Sequence, residues 1–548
     1  MKKAEWVYGK PVIENRIVHI DLKGPKIPFE SFINLIRLLA RWGINAVLVE
    51  YEHRFPYLPL KNQFPASERY TKKQLKTLIQ IASDNGIQWI PLIQTFGHLE
   101  YLSRIKGTQV LFENPEYPQQ ICPLKKQARK YIEDLLEIIC EFHGASRYIH
   151  TGQDETHQLG FCPECKKAVE EKEKIEFYLE HARWVWNIVK RNGRTPLFWA
   201  DMFFTENRLE LLKEIDENVI PVVWEYGDIE KISQQVLIGE VRPTILAAKN
   251  PFRAKATCLP VSQIEKDGNF FEDLDKKIKR IVEIDKKTGY PESFSQTRII
   301  SKYRKNCWTA CATYNCSDML FSPSFIRGVL NPLSMIDVVK GLKIKGIIAT
   351  NWARAHSYAP VSPPWTVALY NIAHFAAASY SGKTQPSDIK EISKIVCCEI
   401  GMPVNFGRFS LDDIVWVISS NASGPGFAGR IKNLQNTLLV LKQGKVEGIF
   451  GEGLVISVEA ELLWTKLLFL QEEARWWNPM KKEIPRIIFI EMKKRFNQIC
   501  REINSLEKRA AAYYIRYVGD RKSFKTWWNG LFGLDIYTAK KALELLSN

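Results

Sequence analysis

The chain has 548 residues, 45% of them hydrophobic and 25% charged. That is the balance of a globular protein with ample apolar surface for a large core, and it excludes a disordered chain. Lys and Arg outnumber Asp and Glu by 77 to 61, a net charge of +16, so nucleic acid or an anionic membrane must be weighed as a partner against where that charge lies.

Short apolar runs alternate with longer amphipathic stretches from residue 16 to about 380. Ile17–Leu22 reads as a strand, and Phe29–Trp42 as a helix, with Phe32, Leu35, Ile36 and Leu39 on one face and Gly43 as its stop. Ala46–Glu50 is the second strand. Thr71 caps a helix through Ala82 that Asn85-Gly86 ends. Strand Trp89–Ile93, helix Lys125–Phe142, strand Tyr148–Thr151 and helix Glu164–Lys190 follow. Leu197–Trp199 and Val219–Trp224 are strands five and six, with helix Arg208–Ile215 between them. A helix is expected at 271–286. Cys307–Cys311 and Gly346–Thr350 are strands seven and eight, with helices near 331–342 and 364–379.

Eight strand-then-helix units with continuous apolar strands predict a parallel sheet covered on both faces and closed into a (β/α)8 TIM barrel over residues 1–380. A doubly wound open sheet is the competitor, but no GxGxxG follows the first strand. Beyond about 385 the alternation stops. Helical patterns at 429–443, 456–476, 484–515 and 535–546 predict a mainly α-helical C-terminal domain, 381–548.

In such a barrel the active site lies at the C-terminal ends of the strands. Those ends carry Asp21 and Lys23; Glu50, Glu52 and His53; Gln94 through His98; His150 through Glu155; Trp199 and Asp201; Trp224 and Tyr226; Trp308 and Tyr314; and Trp352 and Arg354. Aromatics make up 12% of the chain, with 16 Trp. Carboxylates beside indoles suit a sugar, whose C–H face packs on an aromatic plane while its hydroxyls donate to acids. Glycoside cleavage usually employs two carboxyl groups on opposite sides of the anomeric carbon, which the adjacent Asp154 and Glu155 cannot readily supply. They suit a substrate that brings its own nucleophile, one carboxylate steering it and the other protonating the leaving oxygen.

His150-Thr-Gly-Gln-Asp154-Glu155 resembles the His-x-Gly-x-Asp-Glu motif of glycoside hydrolase family 20, the β-N-acetylhexosaminidases. Asp21-Leu-Lys-Gly24, Glu50-Tyr-Glu52 with Phe55-Pro-Tyr57, Pro91-Leu-Ile-Gln-Thr-Phe-Gly-His98, Trp224-Glu-Tyr226 and Gly346-Ile-Ile through Trp352 are similar, in order, to its hexosaminidase D branch. The resemblance covers residues 16–370. It implies an exo-acting enzyme that removes terminal β-linked GlcNAc or GalNAc by a retaining, substrate-assisted route, with no cofactor and no metal. By that resemblance Asp154 orients the 2-acetamido group, and Glu155 is the general acid and then the base. His98 sits near the acid, with Glu50 or Glu52 as its carboxylate partner. Trp199, Trp224 and Trp352 wall the sugar subsite, Tyr226 or Tyr314 donates to the acetamido oxygen, and Lys23, Asp201 and Arg354 hold ring hydroxyls. Gln153 stands where the branch has Cys and Thr151 where it has an aliphatic. His157 and Gln158 replace aromatics, and Ala310–Asn315 matches its seventh strand loosely. These departures keep a second reading in play: an inactive barrel that binds amino sugars or serves as a scaffold.

Three remaining features have plainer readings. Cys162-Pro-Glu-Cys165 has zinc or redox spacing, but no second ligand pair is placed by sequence, so these read as helix-start cysteines. Residues 381–548 hold 25 Lys and Arg against 18 Asp and Glu, and the basic, aromatic tract Arg495–Lys525 reads as the solvated face of an amphipathic helix rather than a nucleic-acid surface. The start MKKAEWVYGK is broken by charge and no 18-residue uncharged apolar run occurs, while 11 Cys is a low and odd number. A cytoplasmic location with free thiols and no membrane partner is expected. The expected partner is a glycan or glycoconjugate ending in N-acetylhexosamine, and a homo-oligomer is left open.

Overall fold

The computed structural model describes residues 2–56, 58–59, 64–227, 292–315, 320–354, 363–420, 426–480 and 483–547, with the backbone of three short strands at 235–237, 244–246 and 258–260. The helix expected at 271–286, and Tyr57, lie outside the described residues.

Eight strands form the centre: β1 Asn15–Asp21, β2 Ala46–Glu50, β3 Gln88–Leu92, β4 Tyr148–His150, β5 Thr195–Trp199, β6 Ile220–Trp224, β7 Trp308–Tyr314 and β8 Gly346–Asn351. All neighbours pair in parallel, and β1 pairs with both β2 and β8, so the sheet closes into the barrel that the alternation predicts. Closure follows from strands buried on both faces, which leaves no edge for solvent. The inward residues Ile17, Leu48, Ile90, Leu92, Leu197, Trp199, Val222, Trp308 and Ile348 pack as one cluster, and Trp224 and Trp352 lie against its top. The interior is a filled core that ends in an indole floor.

The outer helices bury the stripes their spacing sets. In Phe29–Arg41, Phe32, Leu35, Ile36 and Leu39 are buried against the sheet. Thr71 and Gln74 form a capping box at the start of Lys72–Asp84, each side chain accepting the other residue's backbone N–H at 3.1 and 3.0 Å.

Two expected helices differ. The helix expected over 164–190 is two, Pro163–Glu171 and Lys174–Arg191, with extended backbone at Lys172. Residues 164–174 are mostly charged and bury little besides Cys165, so no apolar stripe carries the first helix into the second, whose stripe starts at Ile175. The expected helix Arg208–Ile215 is a 3-10 helix, Leu209–Glu214, preceded by the short helix Asp201–Thr205.

The C-terminal region is helical as expected, with helices Pro386–Glu399, Leu411–Ser420, Phe427–Gln443, Gly448–Trp477, Arg486–Tyr517 and Arg521–Ser547 and a minimal hairpin at Asn405–Ser410. The last helix begins earlier than its pattern because Phe524, Trp527, Trp528 and Phe532 bury against Tyr514 and its neighbours. Helical residues through Leu462 share the apolar cluster that wraps the barrel. Tyr513 donates to the Thr366 hydroxyl at 2.5 Å, and Ser31 donates to the Arg516 carbonyl at 2.9 Å. Among the described residues no helix is long and apolar enough to cross a membrane.

Candidate active site

β4 ends in a turn that few sequences tolerate. Gly152, Gln153 and Glu155 have φ of +66°, +77° and +51°, and Asp154 sits between them. Left-handed backbone is free for glycine and strained for the other two. A Cβ on Gly152 would meet the Gln94 Oε1 at 1.9 Å, and one on Gly97 would meet the Asp154 carbonyl at 2.5 Å, so both glycines allow the β3 and β4 ends to touch. The turn is braced from behind. Trp186 Nε1 and the Thr151 hydroxyl donate to Gln153 Oε1 at 2.9 and 3.3 Å, and Tyr178 donates to the Gln153 carbonyl at 3.1 Å. The two departures from the family motif, Thr151 and Gln153, therefore bond each other and face the barrel wall.

The turn delivers Asp154 and Glu155 to one pocket, of about 740 Å³, lined by Lys23, Gln94, His98, Asp154, Glu155, Trp224, Tyr226, Asn315, Trp352 and Arg354. The side chain of Asp154 is 9% exposed and that of Glu155 36%, so Glu155 faces the mouth. His98 Nε2 lies 3.5 Å from Asp154 Oδ2 and 3.4 Å from Glu155 Oε2, and its Nδ1 lies 3.8 Å from Glu100. Burial alone would depress the His98 pKa, but the surrounding carboxylates of Asp154, Glu100 and Glu155 override it and hold the imidazolium well above the usual histidine range. Burial pushes Asp154 up; His98 opposes that, and Glu155 adds to it. The partners of His98 are thus Asp154, Glu155 and Glu100, whereas the sequence pointed to Glu50 or Glu52. His98 needs φ +53° to turn its ring into the pocket.

A second buried network fixes the floor. Lys23 Nζ lies 2.6 Å from Glu50 Oε2 and 3.5 Å from Asp21, and over the Trp352 ring at 4.6 Å. Glu50 also meets His19 at 3.4 Å and accepts from Gln94 Nε2 at 3.2 Å. Burial would raise Glu50, but Lys23 and His19 hold it below the usual carboxylate range. Asp21 accepts the backbone N–H of Ala353 at 2.9 Å, which sets the Trp352 loop. Trp352 Nε1 donates to the Tyr226 hydroxyl at 3.2 Å, and Trp224 stacks on Tyr226 at 5.2 Å. Trp352, Tyr226 and Trp224 thus contact one another in the lining of the same pocket as the acids.

Of the residues singled out in the sequence, Lys23, His98, Asp154, Glu155, Trp224, Tyr226, Trp352 and Arg354 line this pocket together. Trp199 is fully buried one layer below, its ring 6.2 Å from that of Trp352. Asp201 is buried beneath Glu155 and accepts its backbone N–H at 3.1 Å. Tyr314 points the other way, into an apolar cavity with Ile20, Ile27 and Trp365, and donates to the Pro363 carbonyl at 3.3 Å. A register shift between Ala312 and Tyr314 turns it there and brings Asn315 to the pocket. Glu52 lines an adjoining cavity of about 850 Å³ that shares Lys23 and Arg354 with the first and is bounded by Asp520, Lys522 and Thr526 of the C-terminal region. Gln94 and Asn315 are pocket residues that sequence reasoning left unassigned; Gln94 stood inside a recognised motif, while Asn315 depends on the bulge.

The C-terminal mouth of the closed parallel barrel thus holds an acid pair and three aromatic side chains in one pocket. Residues 54–252 match the model of Glycosyl hydrolase family 20, catalytic domain. It is 29% identical to Hexosaminidase D of Bos taurus over 236 residues, 41% of this chain and 67% of that protein. It is also 29% identical to Hexosaminidase D of Homo sapiens over 243 residues, 43% of this chain and 49% of that one. The chain thus spans about two thirds of the bovine relative and about half of the human one. Among solved structures, a beta-N-acetylhexosaminidase matches with a TM-score of 0.46 at 15% identity, over 71% of this chain and 77% of that one.

Proposed function

We propose that the protein removes terminal, non-reducing β-linked N-acetylglucosamine or N-acetylgalactosamine from glycans by retaining, substrate-assisted hydrolysis. The observation that carries this reading is the convergence of His98 with Asp154 and Glu155, at 3.5 and 3.4 Å, in one pocket with Trp224, Tyr226 and Trp352. The family match and the relatives named Hexosaminidase D support it.

In the first step the acetamido carbonyl oxygen of the substrate attacks C1. Asp154 accepts the acetamido N–H, which steers that oxygen and balances the charge it develops. Glu155 gives its proton to the leaving glycosidic oxygen, and the C1–O bond breaks to leave an oxazolinium. In the second step the Glu155 carboxylate takes a proton from water, whose oxygen attacks C1 and reopens the ring with retention. The sugar face packs on Trp352 and Trp224, and Tyr226 donates to the acetamido oxygen. Lys23 and Arg354 hold ring hydroxyls.

The test is release of nitrophenol from aryl β-N-acetylglucosaminide and β-N-acetylgalactosaminide. Turnover by the wild-type chain that Glu155→Gln lowers supports the reading. Turnover that Glu155→Gln leaves unchanged overturns it, and so does sugar binding without turnover.

A further inference from the structure

We propose that Glu113, Cys122, Cys162 and Cys165 form a closed tetrahedral zinc site that ties the loop carrying His98 to the loop carrying Asp154 and Glu155. All four residues are buried, and one ligand atom from each lies within 4.8 Å of all the others. Cys122 Sγ is 3.3 Å from Cys165 Sγ and 3.7 Å from Cys162 Sγ, and Cys162 Sγ is 3.6 Å from Glu113 Oε2. Zn–S bonds of about 2.3 Å and Zn–O bonds of about 2.0 Å place tetrahedral neighbours roughly 3.5 to 3.8 Å apart. The Cys122–Cys162 and Cys162–Glu113 separations fall within that range, and the Cys122–Cys165 separation is a few tenths of an ångström shorter. They exceed the roughly 2.05 Å of a disulfide, and a disulfide among three cysteines leaves one thiol over.

The chain builds this cluster from two local devices. In Cys162-Pro-Glu-Cys165 the first cysteine is the N-cap of helix Pro163–Glu171, Pro163 opens the helix, and Cys165 falls in its first turn. Both sulfurs therefore point to one side. Glu113 and Cys122 come from a hairpin closed by the antiparallel Phe112–Ile121 bridge. There the Glu113 N–H donates to the Gln120 carbonyl at 2.8 Å and the Cys122 N–H to the Leu111 carbonyl at 2.9 Å. Glu113 Oε1 accepts the backbone N–H groups of Gly160, Phe161 and Cys162 at 2.9, 2.8 and 3.3 Å, which aims Oε2 at the sulfurs. This is the outer support that orients a metal ligand.

Three thiols and a carboxylate select zinc over magnesium or calcium, which prefer all-oxygen shells. Four protein ligands leave no position for water or substrate, so the site is structural. Its place gives it a task. Cys162 follows Glu155 by seven residues. The hairpin also bonds the neighbour of His98, since the Leu99 N–H donates to the Gln119 carbonyl at 3.0 Å. Gln158 donates to Gln120 Oε1 and the Tyr117 carbonyl at 3.1 and 2.9 Å. A metal here locks two catalytic loops that otherwise meet through a few hydrogen bonds. Cys162 and Cys165 do stand at a helix start, as their spacing suggests; the proposal adds two further ligands from a loop some 40 residues away.

The experiment measures metal in the full-length chain purified without added metal and passed over a chelating resin. About one zinc per chain is expected, absent from Cys122→Ser and Cys165→Ser. Cobalt loaded into the chain stripped of metal should give the thiolate charge-transfer and visible bands of a tetrahedral site, a readout that needs no variant to fold. Hydrogen exchange across residues 152–162 should quicken when metal is removed. A wild-type chain that neither carries zinc nor takes up cobalt overturns the proposal. So do zinc retained in both variants and a disulfide between any two of the three cysteines.

Discussion

The Asp201 carboxylate accepts the backbone N–H of Glu155 at 3.1 Å. It thereby holds, from the end of β5, the left-handed backbone that aims the proposed acid. Asp201 lies beneath the pocket lining, so its effect should travel through Glu155. Asp201→Ala should lower kcat about 10²-fold with a much smaller change in KM, the cost of misplacing a reacting group by about an ångström. Asp201→Asn, which keeps an acceptor, should recover part of the loss. Steady-state kinetics on an aryl β-N-acetylhexosaminide checks this.

Glu155→Gln should depend on the leaving group. Without the acid, a poor leaving group such as an alkoxide loses the roughly 10²–10⁴-fold that general acid catalysis supplies. A dinitrophenolate, which departs unprotonated, should lose far less in the first step. A series of aryl glycosides graded by phenol pKa should therefore steepen in the variant. Equal losses across the series would contradict the assignment of Glu155.

The pH profile should move when His98 is replaced. The imidazolium lowers the pKa of Asp154, against burial, which raises it. Removing that charge in His98→Gln raises Asp154 further, so the acidic limb of kcat/KM, where Asp154 must be ionised, should shift to higher pH. Stability has the opposite handle. The folded His98 pKa is raised, so its contribution is fully present below the unfolded value of about 6.5 and is lost as pH rises through the folded pKa. Wild-type Tm should therefore fall more on alkaline titration than that of His98→Gln.

Lys23 and Glu50 meet at 2.6 Å with both side chains buried. Removing one charge strands the other, so Lys23→Met should cost about 3–5 kcal/mol, read as a drop in Tm or in the urea midpoint. Glu50 has a depressed pKa in the folded chain. Its contribution is present above the ordinary carboxylate range and is lost as pH falls below it. That acid sensitivity should weaken in Lys23→Met.

Gly152→Ala should fail on two counts. Its φ is +66°, and the new Cβ meets Gln94 Oε1 at 1.9 Å and Gln94 Cα at 3.2 Å. A loss of about 2 kcal/mol or more is expected, with activity falling alongside as the β3 and β4 ends part. Thermal melting and nitrophenol release measure both.

The sequence by itself determined the architecture and the place of the acid pair. Continuous apolar strands between amphipathic helices are a local, periodic signal, and eight of them place Asp154 and Glu155 at one mouth. A pattern of that kind survives because burial acts on each element separately. The tertiary structure decided what depends on direction and on distant partners. Trp199 and Tyr314 end strands like Trp224, yet one faces the barrel core and the other turns away at a bulge. The carboxylate partners of His98 were set by its φ of +53° and by the β4 turn. The break at Lys172 came from charge that no apolar stripe could bridge. Cys122 and Glu113 met Cys162 and Cys165 through a hairpin bridge and three backbone N–H groups. A side chain's facing and its long-range company depend on how loops close in space, and loop closure leaves almost no trace in local periodicity.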